Sequence, residues 1–211
     1  HVFAFCATPD GNWYFASVHG GMGYAHAIVA IEARGRKVID LQIPGCRPDV
    51  SRDGKRIAWA SSDYSLGVGD LDYSSGEPRV VNAHNIINSG KPWKVQHVDW
   101  SPDATYLTFS RGPQQKTKLG PAPEMIGAQA EGWNICVADA GATNRWIAIT
   151  SDGNYDDRYL EWLDVAEGRT LRVARDAAGR RQLRPCRAQR APGSDTGRQD
   201  RRLGVTGLGQ C

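Results

Sequence analysis

Residues 98–110 constrain the fold of this chain more than any other segment. Trp100 ends an extended run, Pro102 and Asp103 are residue types favoured in tight turns, and an alternating apolar run resumes at Tyr106. Strand, turn and strand thus follow one another directly. The segment predicts a β-hairpin.

The same turn occurs three times, each time with Ser or Thr followed two residues later by Asp. The three aspartates, Asp10, Asp53 and Asp103, are separated by 43 and 50 residues. Four strand-like runs within a period of roughly 40 to 50 residues are the signature of a β-propeller blade. We therefore predict an all-β fold, a β-propeller of four-stranded antiparallel blades with about three blades present.

The strand-like runs fall in the same order in every repeat. In the first repeat they are residues 2–7, 13–18, 27–32 and 37–43. In the second they are 47–50, 56–61, 66–72 and 79–82, and in the third 95–100, 106–110, 134–139 and 145–150. Residues 112–132 are rich in Pro and Gly and are predicted to form a long surface loop rather than an element. The side chains expected to be buried between sheets are Phe15, Ile57, Trp59, Leu107 and Phe109.

The repeat pattern divides the chain into propeller blades, residues 1–163, and a tail, residues 164–211. A fourth repeat begins near Trp162, but from residue 166 onward there is no Phe, Trp, Tyr or Lys, and 11 Arg accompany 4 acidic residues. Such a segment is expected to be disordered or an out-of-frame translation, with an arm that binds nucleic acid or an anionic surface as the alternative.

Charge and hydropathy limit the kinds of partner that the chain is expected to bind. Residues 1–165 carry a net charge of −4, so the overall pI of 8.6 does not indicate nucleic acid. No apolar run approaches the roughly 20 residues that a bilayer span requires, and we predict no membrane insertion. The five cysteines have no metal-binding spacing, which favours free thiols over the alternative of a Cys6–Cys46 disulfide.

Residues 135–139, 149–157 and 160–162, together with residues 51–59, resemble the TolB-type propeller repeat. The resemblance covers residues 1 to about 163 and implies a propeller in the periplasm or outside the cell. Propellers of this kind serve as protein-binding scaffolds, as gating domains of peptidases and as lyases. Three repeats are fewer than the four or so blades of a closed propeller, so we expect a partial propeller, either a piece of a larger protein or an open wedge.

Three histidines are the candidate metal ligands. His19 and His26 flank the glycine-rich connection at residues 20–23, and His97 lies on the first strand of the third repeat. Histidines that converge near a propeller axis could hold a metal, as in the oligogalacturonate lyases that the family resembles, whereas hydrogen-bonded structural histidines are the alternative. The D-x-N-x-D pattern at residues 152–156 lacks the rest of an EF-hand loop and favours a turn between blades.

These features predict a non-catalytic binding scaffold whose ligand, a protein, a small molecule or a saccharide, lies at the propeller face. The alternative is a metal-dependent, lyase-like enzyme that acts on a polysaccharide. Such an enzyme needs a base for the proton beside a uronate carboxylate and a cation for the developing charge, and no spacing marks residues for either role. The sequence does not specify a cofactor.

Overall fold

The computed structural model describes residues 2–114, 116–117, 120–121, 132–151, 159–165, 168–174 and 186–187, and no helix occurs among them, hence none that could cross a membrane. Three four-stranded antiparallel sheets follow one another along the chain. Blade 1 contains β1 (Val2–Ala7), β2 (Trp13–Gly21), β3 (Tyr24–Glu32) and β4 (Val38–Asp40). Blade 2 contains β5 (Cys46–Val50), β6 (Arg56–Ser62), β7 (Ser65–Asp72) and β8 (Arg79–Asn88). These sheets confirm the predicted fold class.

Blade 3 contains β9 (Trp93–Trp100), β10 (Tyr106–Pro113), β13 (Asn134–Asp139) and β14 (Trp146–Ala148). The prediction that residues 112–132 contain no element is wrong, because β11 (Lys116–Thr117) and β12 (Gly120–Pro121) pair as a two-stranded ribbon. Local main-chain pairing does not need the apolar alternation by which strands are recognised in a sequence.

A further antiparallel sheet follows blade 3. It consists of β15 (Tyr159–Val165), β16 (Gly168–Ala174) and β17 (Cys186–Arg187). Two of its strands thus lie in residues 164–211, the segment that the sequence separates from the blades. The disorder predicted for most of that segment, and the turn predicted at residues 152–156, fall outside the described residues.

The repeated turn closes with the same hydrogen bonds in all three blades. In blade 2, the Gly54 N–H donates to the Ser51 carbonyl at 2.8 Å, and the Ser51 hydroxyl donates to Asp53 Oδ1 at 2.6 Å. The Arg56 N–H donates in turn to the Ser51 hydroxyl at 2.9 Å. Blades 1 and 3 repeat the pattern from Thr8 and Ser101. The Ser/Thr and Asp of the motif are therefore conformational residues that fix the start of each second strand.

Large apolar side chains between the sheets form the core. The side chains predicted to be buried there are all at most 2% exposed, namely Phe15, Ile57, Trp59, Leu107 and Phe109. One cluster joins blades 1 and 2, and another joins blades 2 and 3. Cys6 packs against the first cluster and Cys46 against the second, and both are free thiols, as is Cys136. The burial of apolar side chains between neighbouring blades thus holds the three sheets together.

Polar contacts from blade 2 hold Trp100 at the junction with blade 3. The backbone N–H of Trp100 donates to Asp49 Oδ2 at 2.8 Å, and the Arg56 guanidinium lies 4.7 Å from the centre of the Trp100 indole ring. Arg56 also donates to the carbonyl of Ala104 in the next turn. A second contact joins these blades where Lys94, 2% exposed, pairs with Asp63 at 3.0 Å. Since each contact spans about 30 to 50 residues of sequence, both fix blade orientation rather than local structure.

Candidate functional site

The first strands of the blades lie side by side. β1 contacts β5, β5 contacts β9, and β9 contacts β15, as expected for innermost strands around a common axis. A β-bulge interrupts the pairing of β1, of β5 and of β9 with the second strand of the same blade. A residue in the left-handed conformation stands at each bulge: Ala4 (φ 47°), Arg47 (φ 57°) and His97 (φ 52°). Bulges re-aim the side chains that follow them.

An open cleft of about 220 Å³, which we call the axial cleft, lies over these bulges. Among the residues whose side chains the structure describes, its lining comes from β1, β5 and β9, three residues from each strand: Ala4, Phe5, Cys6, Arg47, Pro48, Asp49, His97, Val98 and Asp99. Phe5 is 73% exposed at its edge. Cys6, Asp49 and Asp99 are equivalent positions, each two residues before the Ser or Thr of the repeated turn. The repeat thus brings one thiol and two carboxyl groups to the axis.

Asp49 and Asp99 form a carboxyl pair across the junction of blades 2 and 3. Burial raises the pKa of Asp49 well above its ordinary value, and the Asp99 charge and the hydrogen bond between the two carboxyls raise it further. The hydrogen bond from the Trp100 N–H opposes these effects but does not cancel them. The protonated form of Asp49 is therefore favoured.

Cys6 lies beside this carboxyl pair. Burial raises the pKa of the Cys6 thiol, and the negative charges of Asp49 and Asp99 add to the shift. A thiol reacts as a nucleophile or a metal ligand only after it loses its proton. The cleft therefore holds Cys6 in its unreactive form.

Arg47 and His97, at equivalent bulges, contact each other. Arg47 Nη1 lies 2.6 Å from His97 Nε2. Because guanidinium can only donate, Nε2 accepts this hydrogen bond, and the neutral imidazole carries its proton on Nδ1. The contact holds a cation against the ring nitrogen that would otherwise bind a proton or a metal.

The three histidines predicted as metal ligands lie in two places. His97 is in the axial cleft, whereas His19 and His26 face each other across β2 and β3 with ring centres 3.9 Å apart. In the part of the chain with described side chains, no group of three or more His, Cys, Asp or Glu residues is arranged to hold a metal ion. Metal binding by these histidines stays a prediction.

Among the described residues, four of the five ionisable groups that line the axial cleft were not predicted as site residues from the sequence. The missed residues are Cys6, Arg47, Asp49 and Asp99. The turn motif does locate them, because counting back two residues from Thr8, Ser51 and Ser101 gives the thiol and the two carboxyls. Counting back four gives the bulge residues. That the three first strands meet is tertiary information, which the repeat supplies only when the blades are arranged around an axis.

Comparison with known proteins supports the fold alone. The structure is similar to a dipeptidyl peptidase 4 from Porphyromonas gingivalis, with a TM-score of 0.51 and 13% identity, covering 83% of this chain and 29% of that one. It is similar to a puromycin-hydrolyzing peptidase from Mycobacterium tuberculosis, with a TM-score of 0.51 and 15% identity, covering 88% of this chain and 29% of that one. No protein-family model and no curated protein sequence matches the chain.

TolB from Acinetobacter baumannii is also among the similar structures, with a TM-score of 0.37 and 14% identity, covering 83% of this chain and 52% of that one. A similarity of that size does not distinguish one propeller family from another. The chain spans less than a third of the length of the two peptidases. The architecture is that of a partial β-propeller. Similarity of fold to the two peptidases does not establish what this chain binds.

Proposed function

We propose that this chain is a non-catalytic scaffold that binds a protein or a small molecule, saccharides included, over the axial cleft. One observation carries the proposal: Arg47 Nη1 lies 2.6 Å from His97 Nε2, so the imidazole nitrogen that would take a proton or bind a metal is already engaged. Burial also keeps the proton on the Cys6 thiol. Attack by Cys6 would need a thiolate, and base or metal chemistry at His97 would need an open imidazole nitrogen.

The cleft offers a ligand three kinds of contact. Arg47 supplies charged donors that suit a carboxylate or a hydroxyl, and the carboxyl pair of Asp49 and Asp99 supplies acceptors. The exposed ring of Phe5 supplies an apolar face at the edge. Because the protonated form of Asp49 is favoured, the cleft carries less negative charge than two ionised carboxylates would give it, and Arg47 adds one positive charge. A near-neutral, polar cleft with one aromatic ring fits a sugar unit or an extended peptide.

Trigalacturonate is the first probe, because it carries both hydroxyls and carboxylates. Calorimetry on the full chain is expected to show binding that weakens when Phe5→Ala or Arg47→Ala is introduced. Tyr14→Ala is the matched control, since Tyr14 is an exposed aromatic outside the cleft. Equal weakening by all three substitutions would refute the axial cleft as the site. Absence of binding would exclude this saccharide class and leave a protein segment as the ligand.

The lyase-like alternative makes a different prediction with the same probe. Elimination next to a uronate carboxylate creates a double bond, so turnover is followed by the ultraviolet absorbance of the unsaturated product. The guanidinium of Arg47 against His97 Nε2 opposes a metal cation at that nitrogen, which favours the scaffold. Incubation of the full chain with trigalacturonate and Mn²⁺ is expected to give no product. Product that disappears in His97→Ala would establish the enzyme instead.

The proposed partners exclude nucleic acid, and the proposed location is the periplasm or outside the cell. The acidic character of residues 1–165 supports the first proposal. The second rests on the resemblance to TolB-type repeats alone. A salt-dependent shift of labelled DNA by the full chain would contradict the first. Recovery of the native protein only in the cytosolic fraction of its own cells would contradict the second.

A further inference from the structure

The hairpin between β2 and β3 carries a histidine on each strand at directly opposed positions. His19 pairs with His26 in the strand register, two residues along each strand from the Gly21–Tyr24 pair that closes the hairpin. The two ring centres are 3.9 Å apart and the ring planes meet at 81°. Both side chains are exposed to solvent. Neither residue lines the axial cleft.

Two imidazoles in this arrangement are a chelate for a transition metal. Imidazole nitrogen is a preferred ligand of Ni²⁺, Cu²⁺ and Zn²⁺. The strand pairing already brings the rings together, so the second nitrogen binds at the effective concentration set by a fixed hairpin and not by a flexible loop. Side-chain rotation of exposed rings, which requires no change of backbone, can turn one nitrogen of each toward a shared ion.

We propose that His19 and His26 form a two-histidine surface site for a divalent transition metal, with water in the remaining coordination positions. His97 is not part of it, because its Nε2 faces Arg47 in the axial cleft. The site needs no contribution from that cleft, so it does not depend on the proposed scaffold function.

Titration of the full chain with ZnCl₂ in a calorimeter tests the site. His26→Ala and His19→Ala are each expected to weaken Zn²⁺ binding by about tenfold or more, because each leaves a single imidazole in place of the chelate. His26→Gln is a second variant with a side chain of similar length. His84→Ala is the matched control: His84 is an exposed histidine on β8 whose Nδ1 lies 2.9 Å from the Asn82 carbonyl. It is expected to leave Zn²⁺ binding unchanged.

Electron paramagnetic resonance of bound Cu²⁺ gives an independent readout. Two coordinating nitrogens are expected in the unmodified chain and one in either single variant, with unchanged far-ultraviolet circular dichroism in each. Unchanged Zn²⁺ affinity in the His19→Ala/His26→Ala double variant would overturn the site. An equally large loss in His97→Ala would overturn it too, in favour of a three-histidine centre.

Discussion

Replacement of Asp49 by Asn should remove a defined part of the pH dependence of folding. Asn keeps a side-chain oxygen that can accept from the Trp100 N–H, as Asp49 Oδ2 does at 2.8 Å. It is also neutral, like the protonated carboxyl that the Asp99 pair favours. The substitution therefore preserves the hydrogen bond at the junction of blades 2 and 3 while abolishing the titration.

The direction and size of the effect follow from the raised pKa of Asp49. In the unfolded chain an Asp loses its proton near pH 4, whereas the folded chain retains it to a higher pH. The stabilisation from this proton is complete below the unfolded pKa and is lost as the pH rises through the folded pKa. Where the two states differ by one full proton, the free energy of unfolding falls by about 1.4 kcal/mol per pH unit.

Urea unfolding of the full chain, followed by tryptophan fluorescence between pH 5 and 8, measures this slope. The free energy of unfolding of the unmodified chain minus that of Asp49→Asn should decline with rising pH. Asp49→Ala should show the same pH dependence as Asp49→Asn but should be roughly 1 to 3 kcal/mol less stable than Asp49→Asn at every pH, because the buried backbone N–H of Trp100 loses its acceptor. Asp10→Asn is the control: the Thr8 hydroxyl lowers the pKa of Asp10, so that carboxylate is ionised in both states across this range. Identical slopes for the unmodified chain and Asp49→Asn would refute the raised pKa of Asp49.

Three further substitutions or reactions test the packing. Gly67→Ala should destabilise the chain by about 1 to 3 kcal/mol, because its Cβ would lie 2.6 Å from the Trp59 ring; a neutral effect in urea unfolding would contradict that contact. Gly11→Ala meets no atom within 4 Å but keeps a φ of 69°, so about 1 kcal/mol of backbone strain is expected, and a larger loss would point to an unseen clash. Burial raises the pKa of Cys136 to about 12, although Arg111 opposes the shift. Alkylation of Cys136 at pH 8, read from its peptide by mass spectrometry, should therefore be roughly a thousandfold slower than in the unfolded chain, and equal rates would refute its burial.

Turn chemistry was predictable from the sequence because it is local. The Ser51 hydroxyl, the Asp53 carboxylate and the Arg56 N–H lie within six residues, so their hydrogen bonds depend on residue type and spacing alone. Core positions such as Phe109 were predictable because strand alternation places them on one face. Both signals repeat with the blade, which is why the fold class followed from three copies of one turn.

Longer-range features were not predictable in the same way. β8 extends to Asn88 although the sequence pattern ends near residue 82, because Ile86 and Ile87 are buried only when the sheets pack. The bulges were missed because Arg47 and His97 adopt positive φ without being glycine. The residue type alone does not predict such a conformation, which persists only where the surrounding structure determines it.

The position of the bulges explains how the repeat can keep the same blade structure while the side chains near the axis differ from blade to blade. The turn residues close each hairpin and the alternating apolar residues fill the space between sheets, so both are restricted to a few residue types. The bulge residues meet neither demand: Ala4, Arg47 and His97 differ in size and charge at equivalent positions. The positions two residues later differ as well, as Cys6 and Asp49 show. Equivalent positions on the innermost strands therefore carry different chemical groups, at the place where residues of three blades line one cleft.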